Sequence, residues 1–350
     1  MGYDELIKRK ASINSDFDNT IKSIDEEISE LKRVETIATN TKMILDDLDR
    51  EFCEKTKLTA TDSIFLFLAT GLQIARQYLL SNNQFRLDSK QGDGLVKSLV
   101  PPSWQDVLLQ SVPYDAIKTS SHVTATGISG TTHRYRTLGH DPILGWIFGT
   151  ANIMTNSLTK YNLETYQVSN MTIQRHYPLG AVGMLEKAVE YGRNEPMLLG
   201  AAVVRQAVHF GSDYFTKQGL PVPIISTVNN QLAGDMISKW HIDMYSITRG
   251  AAVSALINQL IACIHSLFCD GKTDSDRKLY EVRTRKILSY SNLIASGTNI
   301  AVTAITQDFS KLDIGGLAVT IYRLITDAKF IREVKEEFIF GSYRDMIMGE

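Results

Sequence analysis

His209 and Asp213 stand four residues apart in the stretch "VHFGSDYFTKQGLPVP", residues 208–223. On a helix that spacing puts both side chains on one face. Upstream, "THRYRTLGHDPILGW" carries His133 and His140, with Asp141 directly after the second. His241 and Asp243 form a third imidazole–carboxylate pair in "KWHIDMYS". Histidine is scarce, seven in 350 residues, so the grouping is informative. Neutral imidazoles and carboxylates from separate elements are a donor set for zinc, manganese or iron. A metal with one open position turns bound water into a nucleophile near neutral pH, which is hydrolytic chemistry.

Each group also has a structural role open to it. Asp141 precedes Pro142, the N-cap and first-position pattern of a helix start. On the helix from Pro196, residues Arg205, Gln206, His209, Ser212, Asp213 and Thr216 share one side, as a solvated face would. His122 and His265 read as surface or hydrogen-bonded interior histidines. Other chemical signals fail on their spacing. "TGISGTTH" lacks G-x-S-x-G, so no nucleophile elbow forms at Ser129. "DGKTDSD" lacks the first glycine of a phosphate loop, and Lys272 and Ser275 break a calcium loop there.

The elements that must position these residues read as helices. In residues 1–55 Leu6, Ile13, Phe17, Ile21, Ile24, Ile28 and Leu31 recur at spacings of seven, four, four, three, four and three. This stripe amid Lys, Glu and Asp predicts a helical, coiled-coil-like arm, either folded back as a hairpin or pairing with a second copy. Residues 56–350 are expected to form an α-helical core domain, with an irregular segment at about 83–135. Asp62 caps one helix; further helical patterns cover about 228–242, 245–269, 274–296 and 313–340. Few runs alternate with period two, so no sizeable sheet is expected. The fold class is a mostly α multi-helix bundle.

The formal charge of −2 gives no electrostatic case for nucleic acid as a main partner. Three cysteines without C-x-x-C spacing argue against a disulfide framework and point to a reducing, cytoplasmic setting. The charged N-terminus has no secretory h-region. Three apolar runs, 64–80, 143–158 and 251–268, fall short of about 20 uninterrupted apolar residues. They are expected as buried helices of a soluble bundle, with peripheral membrane association as the other reading.

The series His209, Asp213, Thr216, Gly219 resembles the H-x-x-x-D-x-x-T-x-x-G element of the LexA-binding family, metal-dependent hydrolases of the bacterial inner membrane. That family also has an upstream H-R-x-x-T-H element. Here His133, Arg134, Thr137 and His140 follow in that order, the last histidine two positions later. The resemblance covers roughly 90 residues and implies a helical metal-dependent hydrolase with His133, His140, His209 and Asp213 near a divalent zinc or manganese ion. The family's acidic element has no clear counterpart, the nearest acidic cluster being Asp46, Asp47 and Asp49 on the arm. The expectation is a hydrolase of phosphoesters or other polar esters. Asp141 would serve as base or further ligand, and Arg134 and Arg136 would hold anionic oxygens. His241 and Asp243 are secondary candidates. The rival expectation is a non-catalytic assembly protein that oligomerises through its arm.

Overall fold

The computed structural model describes residues 3–79, 91, 94, 97–98, 101–121, 123 and 126–349. Much of the irregular segment expected at 83–135, and His122 within it, lies outside the described residues. The protein is a mostly α multi-helix fold with one small sheet. It divides into two compact units.

The first unit comprises Met1–Leu66, Ala262–Ser289 and Arg323–Glu350. Helices α1 (Tyr3–Thr39) and α2 (Thr41–Lys55) form the arm. Only Asn40 separates them, and it keeps the helical ladder, Asn40 N to Thr36 O and Ile44 N to Asn40 O. The arm therefore runs on instead of folding back as a hairpin; one residue is too short for a reversal. Phe52 packs with Leu279, Val282 and Val334 in this unit's core. His265 is a satisfied interior histidine, 2.8 Å from both Asp62 and Thr284.

The second unit comprises Phe67–Ile261 and Tyr290–Tyr322. Its sheet has the order β1 (Lys118–Thr119), β4 (Thr172–His176), β3 (Thr165–Ser169), β2 (Ser157–Thr159), with only the β1–β4 pair parallel. Asn170 and Met171 turn β3 into β4, both at positive φ, as a two-residue hairpin matched to strand twist demands. Val112, Tyr114, Leu158, Tyr166 and Ile173 form the core under the sheet. Beside it lie α6 (Gly145–Thr155) and α7 (Gly180–Asn194); α8 (Pro196–Phe215) packs on both, α4 (Pro102–Leu108) packs on α8, and the short α5 (His133–Arg136) adjoins the turn that ends at Asp115. Pro196 at the first turn of α8 needs no hydrogen-bond acceptor there, which is why the helix begins at that point. The short helices α9 (Ile225–Val228) and α10 (Asn230–Ser238) lead to α11 (Met244–Ser266). Two long helices complete the chain, α12 (Asp274–Thr306) and α13 (Ile314–Met348).

One expectation fails in part on burial. The run 143–158 is interior as expected, with Gly149, Ala151, Asn152, Met154 and Leu158 buried, but the runs 64–80 and 251–268 are not core helices: Ile64, Phe67, Leu79, Leu256, Leu260 and Leu267 are all exposed. The interior positions on the same helices are filled instead by Gln73, Arg76, Gln77, Ser254 and Asn258.

Candidate metal centre

The site is assembled from three separate stretches of chain. The short 3-10 turn Pro113–Asp115 brings Asp115; the segment from His133 to His140 brings two histidines; α8 brings His209 and Asp213. The face of α8 that spacing suggested was solvated is buried, with Gln206 at 0%, Asp213 at 3% and Thr216 at 2% exposure. Gln206 is the reason α8 can approach so closely. Its amide donates to Gly139 O (2.8 Å) and its oxygen accepts from Tyr114 Oη (2.6 Å). A Cβ at Gly149 would lie 2.4 Å from Gln206 Oε1, so only glycine admits it.

Two imidazoles and two carboxylates converge. The Nε2 atoms of His140 and His209 are 3.4 Å apart. Asp213 Oδ2 lies 3.2 Å from His209 Nε2 and 3.5 Å from His140 Nε2. Asp115 Oδ1 lies 2.9 Å from His140 Nε2 and 3.5 Å from His209 Nε2. His133 Nε2 stands at the margin, 3.9 Å from the same oxygen. Asp115 is the most open member, with its side chain 25% exposed, while His140 is fully buried. The expected residues His133, His140, His209 and Asp213 are thus together.

The proton arrangement at His140 is decided by its neighbours. Thr137 Oγ1 donates to His133 O (2.8 Å), so it must accept from His140 Nδ1 (2.7 Å). A neutral His140 therefore carries its proton on Nδ1 and turns a bare Nε2 lone pair toward two carboxylates. Lone pairs facing one another at these distances need a cation or a proton between them. Asp213 Oδ2 sharpens the point: it is buried without a hydrogen-bond partner and faces the same spot. A tetrahedron of ligands at about 2.0–2.1 Å from a central ion has edges of about 3.3 Å. Five of the six separations among these four atoms run from 2.9 to 3.5 Å, and the ligand atoms of Asp115, His140 and His209 all lie within 4.8 Å of one another. Asp115, His140 and His209 are close enough for one divalent metal to suit them, with Asp213 beside them.

Electrostatics agree with a cation site. Burial opposes a charge on His209, but Asp213 and Asp115 outweigh it and raise its pKa to about 10. Burial would also raise Asp115, yet the charge on His209 holds it well below the usual carboxylate range. Asp213 is lowered against its own burial by His209 and Arg134. Burial lowers His140, and burial with the nearby His140 lowers His133 to about 4.

Two residues expected to be catalytic are engaged elsewhere. The carboxylate of Asp141 accepts from the amides of Ile143 and Leu144 (2.9 Å each) and Ile224 (2.6 Å). It fixes the entry to α6 and joins that entry to the 224 turn. Arg134 does not present its charge to solvent; it pairs with Asp213 Oδ1 at 2.8 Å and donates to Gly219 O. It holds the Asp213 carboxylate in place. Asp243 caps α11 by accepting from Ser246 N (2.8 Å), and His241 is exposed beside a separate cavity of about 340 Å³ lined also by Arg76 and Lys311. Asp115 is the residue that sequence reasoning missed. Its signal was slight: one acid inside the apolar run "VPYDAI".

Gly219 adopts φ +59°, and a Cβ there would lie 2.0 Å from Asp243 Oδ2. Gly219→Ala is expected to lose about 1–3 kcal/mol of stability from left-handed strain alone. The shift of the urea midpoint measures it, and an unchanged midpoint would show that this turn relaxes freely.

No family model, curated protein or solved structure matches the chain.

Proposed function

We propose that the protein is a metal-dependent hydrolase, with His140, His209, Asp115 and Asp213 holding one zinc or manganese ion. The observation that carries this reading is the convergence of Asp115, His140 and His209, whose ligand atoms lie within 4.8 Å of one another, with the buried Asp213 Oδ2 3.2 Å from His209 Nε2 and 3.5 Å from His140 Nε2. When bound, such an ion supplies the Lewis acidity that makes water nucleophilic near neutral pH. The chain's own residues prepare the place for it. Thr137 orients His140, Arg134 fixes Asp213, and the Tyr114 ring stands edge-on to both His140 and His209. His133, neutral above about pH 4 and partly exposed, is placed to take a proton from an attacking water. Among the described residues no carboxylate pairs with Arg136, which leaves it, rather than Arg134, to meet an anionic oxygen of a phosphoester or polar ester.

The test is elemental analysis of untagged protein, alongside zinc and manganese titration. About one ion per chain is expected, and a His209→Ala, Asp213→Ala double variant should hold none. A chain that neither contains nor takes up either metal would sink the hydrolase reading.

Metal uptake also has an expected pH dependence. In the metal-free chain His209 keeps its proton up to about pH 10, while His140 and His133 are lowered and the carboxylates are ionised. Binding must displace the His209 proton, so affinity rises about tenfold per pH unit through neutrality and levels off above about pH 10. The sign for folding is the opposite. The raised pKa of His209 stabilises the metal-free fold most below about pH 6.5 and is lost as pH climbs through about 10. Calorimetry in two buffers of different ionisation enthalpy should report about one proton released per metal; zero release would refute this assignment.

A second reading, assembly through the arm, has its own support. Ile13, Phe17, Ile21, Ile24, Ile28 and Leu31 are between 44% and 69% exposed, a full apolar seam that no helix among the described residues covers. We propose that a second copy covers it. Ile21→Asp with Ile28→Asp should lower the mass seen by light scattering; an unchanged mass would remove this reading.

A further inference from the structure

Around the polar positions of α3 (Ala60–Leu79), α11, α12 and α13, the second unit is built inside out. At its centre Gln73 Nε2 donates to Asn258 Oδ1 and to Ser254 O, 3.1 Å each. Asn292 Nδ2 donates to Asn258 Oδ1 (2.7 Å), and Ser254 Oγ to Asn292 Oδ1 (3.2 Å). Ser296 and Thr320 meet at 2.7 Å, and Arg76 pairs with Asp313 at 2.5 Å. All of these side chains are buried or nearly so. The outward positions are mostly apolar, Gln259 on α11 being an exception: Leu256 and Leu260 on α11, Leu293, Ile300 and Ile305 on α12, and Ile321 on α13 are 46% to 83% exposed. A bundle in water shows the reverse distribution.

The lengths match a bilayer. Residues 287–306 of α12 contain no charged side chain, a run of about 30 Å at the helical rise, and the hydrocarbon layer is about 30 Å thick. Helix α11 is long and apolar enough to cross, and only 17% of its most apolar 18-residue window is buried, so it is not the core helix of a water-soluble fold. We propose that the outward faces of α3, α11, α12 and α13 contact the acyl chains of a lipid bilayer. The hydrogen-bonded asparagine, glutamine and serine groups inside serve as interhelical links, as polar groups do when lipid surrounds a bundle. A second copy of the chain is the weaker occupant. The exposed faces belong to four helices set around one polar centre, and a single partner covers one side, whereas lipid covers every side. The inference does not depend on the metal reading.

The test uses the full chain with Cys53→Ser, Cys263→Ser and Cys269→Ser, reconstituted in phosphatidylcholine–phosphatidylglycerol vesicles. Single cysteines replacing Leu256, Leu293 or Ile300 carry a nitroxide. Collisions with oxygen are expected to exceed those with a water-soluble nickel chelate several-fold at all three positions, and the unaltered chain should float with the vesicles after an alkaline carbonate wash. Nickel-dominated collisions would overturn the proposal. So would a parent chain left in the aqueous fraction, or dipolar broadening at all three positions showing that another copy covers them.

Discussion

Asp115→Asn binds zinc at least about 100-fold more weakly than the unaltered chain, while Asp141→Asn binds it with nearly the same affinity. The expectation follows from what each carboxylate touches. Asp115 Oδ1 is within 3.5 Å of both histidine Nε2 atoms and is the one partly open ligand oxygen. Its replacement removes a negative charge from a centre whose two imidazoles would both be neutral with metal bound. Changes confined to groups behind a metal's ligands typically cost 10–100-fold, so losing a ligand charge should exceed that range. Asp141 is spent on three backbone amides, and its loss should appear as about 1–2 kcal/mol of stability instead. Competition against a chromophoric chelator gives both affinities. Equal loss from the two variants would mean that the centre fails through general unfolding and that Asp115 is no ligand.

The second large effect concerns Arg134. Its guanidinium pairs with Asp213 Oδ1 where both side chains are nearly buried, 11% and 5% exposed. Removing one partner of such a pair strands the other charge, at a cost of about 3–5 kcal/mol. Arg134→Met should therefore unfold at markedly lower urea than the parent when a chelator is present. A saturating divalent metal should restore much of the difference, because a cation on Oδ2 replaces the lost countercharge. Arg134→Lys should fall between them, since it keeps the charge and loses the planar fork. A deficit that metal leaves untouched would place Arg134 outside the centre's electrostatics.

Much of this centre was legible because its members obey local spacing. His209 and Asp213 are one helical turn apart, and Thr137 and His140 are close enough for a direct side-chain contact. The helical class was legible from periodicity for the same reason. Asp115 was not, because its approach to the histidines depends on Gly139 admitting the Tyr114 ring, where a Cβ would come within 2.4 Å. No pattern within "VPYDAI" encodes that. Burial of the α8 polar face was hidden likewise, since six polar residues on one side look alike whether water or a metal centre lies opposite. Two of the apolar runs were misread in the converse way. Gln73, Arg76, Gln77, Asn258 and His265 interrupt the runs 64–80 and 251–268 in the sequence, yet they are buried, and of the interrupting residues Gln259 alone faces outward.

The ligands come from distant parts of the chain: His140 is 25 residues from Asp115 and 69 from His209. An unfolded chain can offer a metal only the local pairs His133 with His140 or His209 with Asp213, each a poor chelate. The complete ligand set exists only once the 3-10 turn, the histidine segment and α8 have docked. Metal should then act late on the folding path, slowing unfolding far more than it speeds folding. Early capture in a non-native arrangement, a common hazard for chains with clustered ligands, is correspondingly disfavoured.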